Sequence, residues 1–326
     1  MQTIEKIVVG VEMPDSRPWN VESISAPSRI AVRQAFEVAE AFNSALQLVC
    51  VLSPVSAGLF GDEQAARAAA EQEKTEAMAV LADLEMQHMN QAGRAVDVSS
   101  LVTFGRPWLE ILKAAGPSHR NLIMCGTRDH GAVSRLLFGT TGLKLLRNAP
   151  CAVWLVKPRI DDDADLDVLA ATDLSEVGKA VLDAGVMLGQ TLPVKLSVLH
   201  AVDDDLDRHM ARSGVSGEQI AMYREKEKRE AEQKLHDQLA AADYRTVQKG
   251  VQVHVAEGRP DAAILSAIEN LDIDLLIMAT AGRGGIPGML FGNTAERLLP
   301  ELPCSLLALK PDDFVCPVSL ETDSSA

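Results

Sequence analysis

The chain carries one pattern twice. Residues 122–141, LIMCGTRDHGAVSRLLFGTT, and 275–294, LLIMATAGRGGIPGMLFGNT, share a plan: a short apolar run, a glycine-bearing loop and the start of a helix. Phe138-Gly139 maps onto Phe291-Gly292 at an offset of 153, and the same offset carries Gly105-Arg106-Pro107 onto Gly258-Arg259-Pro260. It also carries Pro150-Cys151 onto Pro303-Cys304 and Lys157-Pro158 onto Lys310-Pro311. A constant offset leaves no insertion or deletion across that span. With 326 residues and a period near half its length, the chain is an internal duplication, and each copy has the size of one ordinary domain.

Within each copy, unbroken apolar runs alternate with amphipathic segments in the order βαβαβαβαβ. That order predicts an α/β fold: two doubly wound domains, each a five-stranded parallel sheet with right-handed crossovers and helices on both faces. In the first copy strands are expected at 6–11, 46–52, 96–102, 121–125 and 152–156, and helices at 29–43, 62–92, 107–115 and 141–147. In the second, strands fall at 168–171, 195–200, 251–255, 275–278 and 305–309, and helices at 176–188, 217–242, 261–269 and 294–299. The domains run over 1–158 and 166–311, with an acidic linker at 159–165 and a tail at 312–326. Met78, Leu81, Leu84 and Met86 are read as core-facing residues of the long helix. The charged run 223–234, YREKEKREAEQK, is read as a solvated helical face with Glu/Lys pairing.

Composition removes several function classes. A net charge of −15 argues against nucleic acid and anionic membrane surfaces, which ask for clustered Lys and Arg. Five cysteines with no C-x-x-C fit reduced, buried thiols of a cytoplasmic protein. No run approaches the roughly 20 apolar residues of a membrane helix, and the opening apolar run is too short for a signal peptide. There is no Walker lysine, H-E-x-x-H or G-x-S-x-G. GRGGIPG at 282–288 follows the fourth strand of its domain and not the first, so a dinucleotide fingerprint is discounted. Enzymatic turnover ranks low because no base is visibly placed; at most a slow ATPase or self-phosphorylation on Thr140 or Thr294 is left.

The repeated loop leaves the carboxyl end of a buried parallel strand, where open α/β sheets bind ligands. Glycines let the backbone approach an anion and point N–H groups at it, and the following helix start adds partial positive charge. A strand-to-helix turn with φ > 0 asks for glycine in any case, so the loop alone is a weak signal; its repetition is the stronger one.

With these residues in view, both halves resemble the universal stress protein family, and the chain resembles a tandem member of the E type over residues 4–311. The family's ATP-binding members carry G-x2-G-x9-G-[S/T] after the fourth strand, an Asp after the first and a small apolar residue at the end of the second. The resemblance implies an adenine nucleotide, ATP or AMP with Mg2+, and pairing through the last strand, as a homodimer or an internal pseudo-dimer. Carried over, it gives Asp173, Ala201, Ala279, Gly282, Gly292, Asn293 and Thr294 in the second half, with Arg283 as a loop candidate for phosphate. Ala279 and Asn293 depart from the motif. The first half gives Glu12, Val51, Gly126, Gly139 and Thr140, with Arg128 at the matching strand exit. Asp129 stands there where the second glycine belongs, and a carboxylate beside a triphosphate is repulsive. His130 beside Asp129 reads as a surface hydrogen bond, and His200, ending a strand, as a satisfied half-buried histidine. The expectation is a cytoplasmic stress-response protein that binds adenine nucleotide, chiefly in its second half, without efficient turnover. The alternative is an interaction protein with degenerate loops.

Overall fold

A computed structural model describes residues 3–53, 63–90, 93–127, 139–159, 165–203, 205–280 and 292–318. The first half runs β1 (Lys6–Val11), α1 (Ala26–Phe42), β2 (Ala45–Leu52), α2 (Glu63–Met89), β3 (Val98–Phe104), α3 (Pro107–Ala115), β4 (Leu122–Gly126), α4 (Thr140–Asn148) and β5 (Ala152–Val156). Its strands are all parallel, in the order β3-β2-β1-β4-β5. The second half runs β6 (Leu166–Ala171), α5 (Glu176–Thr191), β7 (Val194–Val202), α6 (Asp205–Arg212), α7 (Gly217–Ala241), β8 (Val251–Glu257), α8 (Pro260–Asn270), β9 (Leu275–Ala279), α9 (Asn293–Leu298) and β10 (Ser305–Leu309). Its order is β8-β7-β6-β9-β10, again all parallel. Contacts divide the described chain into two compact units, one of Arg159–Asp313 and one of the first half with residues 314–318.

The inner strands explain themselves. Residues 122–125, 152–156 and 275–278 are buried throughout, as both faces of a parallel sheet lie under helices. The edge strands β3 and β8 are mostly half-exposed and correspondingly more polar. Leu81 and Leu84 are core residues, at 0% and 1% exposure, but Met86 is 64% exposed, against expectation. The buried residues of α2, Ala77, Val80, Leu81 and Leu84, recur at three- and four-residue steps. Two further residues turn Met86 by about 200°, onto the solvent side. The short helix α6 was not anticipated.

Strand register makes the two halves comparable residue by residue. Gly10 pairs with Val49 on one side and Cys125 on the other; Ala171 pairs with Leu199 and Met278. Glu12 and Asp173 therefore occupy matching positions, as do Val51 and Ala201. Beyond that point the halves diverge. Thirteen residues separate Val11 from Ser25, the N-cap of α1, whereas only Asp173 and Leu174 separate Thr172 from Ser175, the N-cap of α5. The long loop is built, not loose: Trp19 Nε1 donates to the Pro14 carbonyl at 2.9 Å. Arg17 lies 4.6 Å from the Trp19 ring centroid and pairs with Glu73 at 2.6 Å and Glu76 at 3.2 Å on α2.

Helix α1 rests directly on the end of β4. A Cβ on Gly126 would fall 2.5 Å from the Pro27 carbonyl carbon and 2.7 Å from its oxygen, both main chain. Gly126→Ala is therefore expected to cost about 1–3 kcal/mol in urea unfolding. Gly217→Ala, where a methyl meets nothing within 4 Å, is expected to stay within about 0.5 kcal/mol of wild type.

At the other end of α2, His88 stacks on Phe36 with centroids 5.1 Å apart. Burial, and then the Arg33 charge, hold its pKa below 6.5. The folded state thus favours the neutral ring: the contribution is present above 6.5 and is lost as pH falls through the depressed folded value. Thermal melting across that interval should fall more steeply for wild type than for His88→Phe.

Candidate functional site

In the second half β6 lies between β7 and β9, and the chain leaves these neighbours in opposite directions, the switch point where open α/β sheets bind ligands. Thr172, just past β6, donates its N–H to the Leu199 carbonyl at 2.9 Å. Its own carbonyl lies 2.9 Å from His200 Nδ1, which places the ring proton on that nitrogen; His200 is half-buried and satisfied, as the sequence suggested.

The next two residues form a tight hook. Leu174 sits at φ 60° although it is not glycine, and its side chain is only 6% exposed. Such backbone costs on the order of 1–3 kcal/mol and needs surrounding support. Support comes from Thr172 Oγ1, which accepts the Leu174 N–H at 3.0 Å, and from Gln238 Nε2, which donates to the Leu174 carbonyl at 3.3 Å. Asp173 Oδ1 accepts the Ser175 N–H at 3.0 Å and also the Ser175 hydroxyl, while Ser175 Oγ caps α5 by accepting from Gly178 N–H at 3.1 Å. Gly178 completes the hook: a Cβ there would lie 2.5 Å from Asp173 Oδ1 and 2.6 Å from Thr172 Oγ1.

The hook forms one wall of a cavity of about 620 Å³, inside the roughly 300–1,000 Å³ of small-molecule sites. Asp173, Ala201, Ala279, Gly292, Asn293 and Thr294 all line it. Gly282 and Arg283 lie outside the described residues, as do Arg128, Asp129 and His130. Gly292 donates its N–H to the Thr280 carbonyl at 2.8 Å, so the last residue before the loop and the first after it are neighbours at the cavity. Asn293 opens α9, and its glycine N-cap brings no side chain to occupy the first-turn N–H groups.

Helix α7 supplies a wall that the sequence reading missed. Its outer face is solvated and ion-paired as expected, Arg229 with Glu225 at 3.0 Å. The inner side brings Tyr223, Arg224, Glu227, Ala231 and Lys234 to the cavity. Tyr223 and Ala231, eight apart and so on one face, were the available signal. The described lining also holds Asp203, Glu230 and Glu257, so carboxylates outnumber cations there; Arg224 reaches Glu257 at 3.5 Å.

The matching place in the first half is a cavity of about 360 Å³, lined by Glu12, Val51, Gly126 and Gly139. Thr140 is exposed and is not part of its lining; Thr141 is. Trp19, Pro14 and Asp15 join it from the long loop, and Glu73 from α2. Cys125 also lines it, but burial, and then Glu12, push its thiol up to about 12. Cys50 and Cys151 are likewise at about 12 through burial, so these thiols are inert near neutral pH. Among the described residues no group of three or more His, Cys, Asp or Glu side chains is arranged to hold a metal, and no helix is long and apolar enough to cross a membrane.

Comparison with known proteins agrees with this architecture. The Universal stress protein family matches residues 23–157 and again 167–310. The chain belongs to that family, with two such domains in tandem. Similar curated proteins are Universal stress protein E of Photorhabdus laumondii subsp. laumondii, 23% identical over 248 residues, 70% of this chain and 73% of that protein. Another is Universal stress protein E of Escherichia coli (strain K12), 24% identical over 242 residues, 71% and 73% of the two chains. It is a tandem protein of the E type. Among solved structures, a functionally unknown protein from Pseudomonas aeruginosa PAO1 aligns with TM-score 0.66 at 22% identity, over 95% of this chain and 94% of that one. A universal stress protein from Archaeoglobus fulgidus DSM 4304 aligns with TM-score 0.65 at 18% identity, over 95% and 99%. At these identities the structures speak for the fold alone.

The Asp173–Ser175 hook is open to a direct check. Ser175→Ala removes the α5 cap and the hydroxyl donor to Asp173, leaving the main-chain N–H donor in place, and is expected to cost about 1–2 kcal/mol in urea unfolding. Ser175→Thr, which keeps the hydroxyl, should recover most of that.

Proposed function

We propose that the second half binds an adenine nucleotide, ATP or AMP, and holds it without efficient turnover. The observation that carries this reading is convergence. Asp173, Ala201, Ala279 and the segment 292–294 lie far apart in sequence, yet they line one cavity at the switch point of the sheet. The chemistry fits in parts. Ala201, Ala279, Ile264 and Pro260 offer an apolar slot for a flat base. The ionised Asp173 carboxylate only accepts hydrogen bonds, so it suits ribose hydroxyls or an amino group and not phosphate. The main-chain N–H groups that open α9 suit the phosphate end. With six residues α9 has a weak dipole, so its contribution is hydrogen bonding more than field. Mg2+ accompanying the phosphates would offset the acidic lining.

Storage or sensing follows more readily than catalysis, because no group in the described lining is placed to activate water against a phosphorus atom. The reading implies a cytoplasmic protein acting in the stress response. The test is to denature freshly purified protein and identify the released small molecules by mass spectrometry, with calorimetric titration of ATP and AMP alongside. Ala279→Leu, which fills the slot, should weaken binding at least about tenfold, and Asp173→Ala should weaken AMP and ATP alike. Absence of nucleotide in the released material, together with no heat at millimolar ATP, would leave the degenerate-loop interaction protein as the better reading.

A further inference from the structure

The first-half cavity occupies the same place in its sheet as the second-half cavity, but it is closed by the long loop 12–24 in place of a two-residue hook. That loop changes the chemistry of the site. Its Pro14 and Trp19 line the cavity together with Val49, Val51, Pro107 and Ile111, giving an apolar and aromatic slot. Glu12 and Asp15 also line it, both are exposed, and neither has an ion-pair or hydrogen-bond partner among the described residues. Arg17 is the only cation of the loop; it lies over the Trp19 ring, 4.6 Å from its centroid, and is paired with Glu73 at 2.6 Å and Glu76 at 3.2 Å. Glu73 is thereby neutralised while Glu12 and Asp15 are not. No Lys, Arg or His occurs among the described lining residues.

Two carboxylates without a partner among the described residues, beside an apolar slot, repel a phosphate and attract an ammonium. The start of α4, at Gly139 and Thr141, opposes this with at most about half a positive charge. It is better suited to donate a hydrogen bond to a neutral oxygen than to overturn the balance. We propose that the first-half cavity is a site for a small organic cation, an arylalkylamine whose ring fills the slot beside Trp19 and whose ammonium meets Glu12 and Asp15. The proposal does not depend on nucleotide binding in the second half.

The experiment titrates the full chain with phenethylamine and, separately, with phenylacetate, which has a matching body and the opposite charge. Tryptophan emission and calorimetry are read together. Saturable phenethylamine binding at millimolar concentration or below is expected, with no phenylacetate binding in the same range. Trp19→Phe should abolish the emission change while leaving the heat. The double variant Glu12→Gln, Asp15→Asn should weaken phenethylamine at least about tenfold with melting temperature unchanged, since neither carboxylate has a partner to lose among the described residues. Equal binding of phenylacetate, an undiminished affinity in the double variant, or no saturation by phenethylamine would each overturn the proposal.

Discussion

Both cavities depend on the parallel pairing of the central strand of each sheet. β1 and β6 are bonded on both sides, and their buried main-chain groups have nowhere else to pair. A slip by one residue would turn every side chain to the opposite face, so the register is fixed by burial on both sides. Once it is fixed, the residues at or just past three strand ends are fixed together: Glu12, Val51 and Gly126 in one half, Asp173, Ala201 and Ala279 in the other. Close main-chain approach then shapes what lies above them. Gly126 sits beneath the Pro27–Ser28 peptide, and Gly178 sits against the Asp173 carboxylate.

The same register with different exits gives different sites. Two residues between Thr172 and Ser175 cannot relax, so Leu174 takes a left-handed backbone and Asp173 folds back onto the cap of α5. Thirteen residues between Val11 and Ser25 are free of that demand. They form a loop with its own tryptophan, its own internal hydrogen bond and an ion-paired tie to α2, and Glu12 is left facing outward. Duplication preserved the sheet, and the change lies in a connection, where length is tolerated at small entropic cost.

This division sets what could be read from the sequence. The span from β3 to β5 repeats in β8 to β10 at the constant offset of 153, and its glycines, prolines and apolar runs announce strand, loop and helix. Asp173, Ala201 and Ala279 were legible because each lies at a strand end, which hydrophobic pattern locates well. The inward face of α7 was not, because Tyr223 and Ala231 are two residues in a charged run and the cavity that receives them is built from distant segments. Met86 failed for a related reason: within a helix of low amphipathicity, composition suggests burial but only angular position decides it. The Thr140 hydroxyl was chosen by motif spacing, and the helix that begins there leaves Thr140 exposed and turns Thr141 to the cavity. Nothing in residues 12–24 alone signals that Trp19, Asp15 and Glu73 meet, since that depends on Arg17 reaching a helix some fifty residues on.

The net charge of −15 says less about ligands than it first suggests. At physiological ionic strength charges beyond about 8 Å are largely screened, so a bound molecule is governed by the groups that line its cavity. Both linings carry more carboxylates than cations, yet they are not equivalent. In the second half Arg224 and Lys234 stand among the acids, and the residues that open α9 line the same cavity, so one molecule can meet both kinds of charge. In the first half Arg17, over the Trp19 ring, is tied to Glu73 and Glu76, and among the described lining residues the charge left on Glu12 and Asp15 is of one sign. The arrangement of charge within each cavity, and not the total, separates a site suited to a polyanion with its counterion from one suited to a cation.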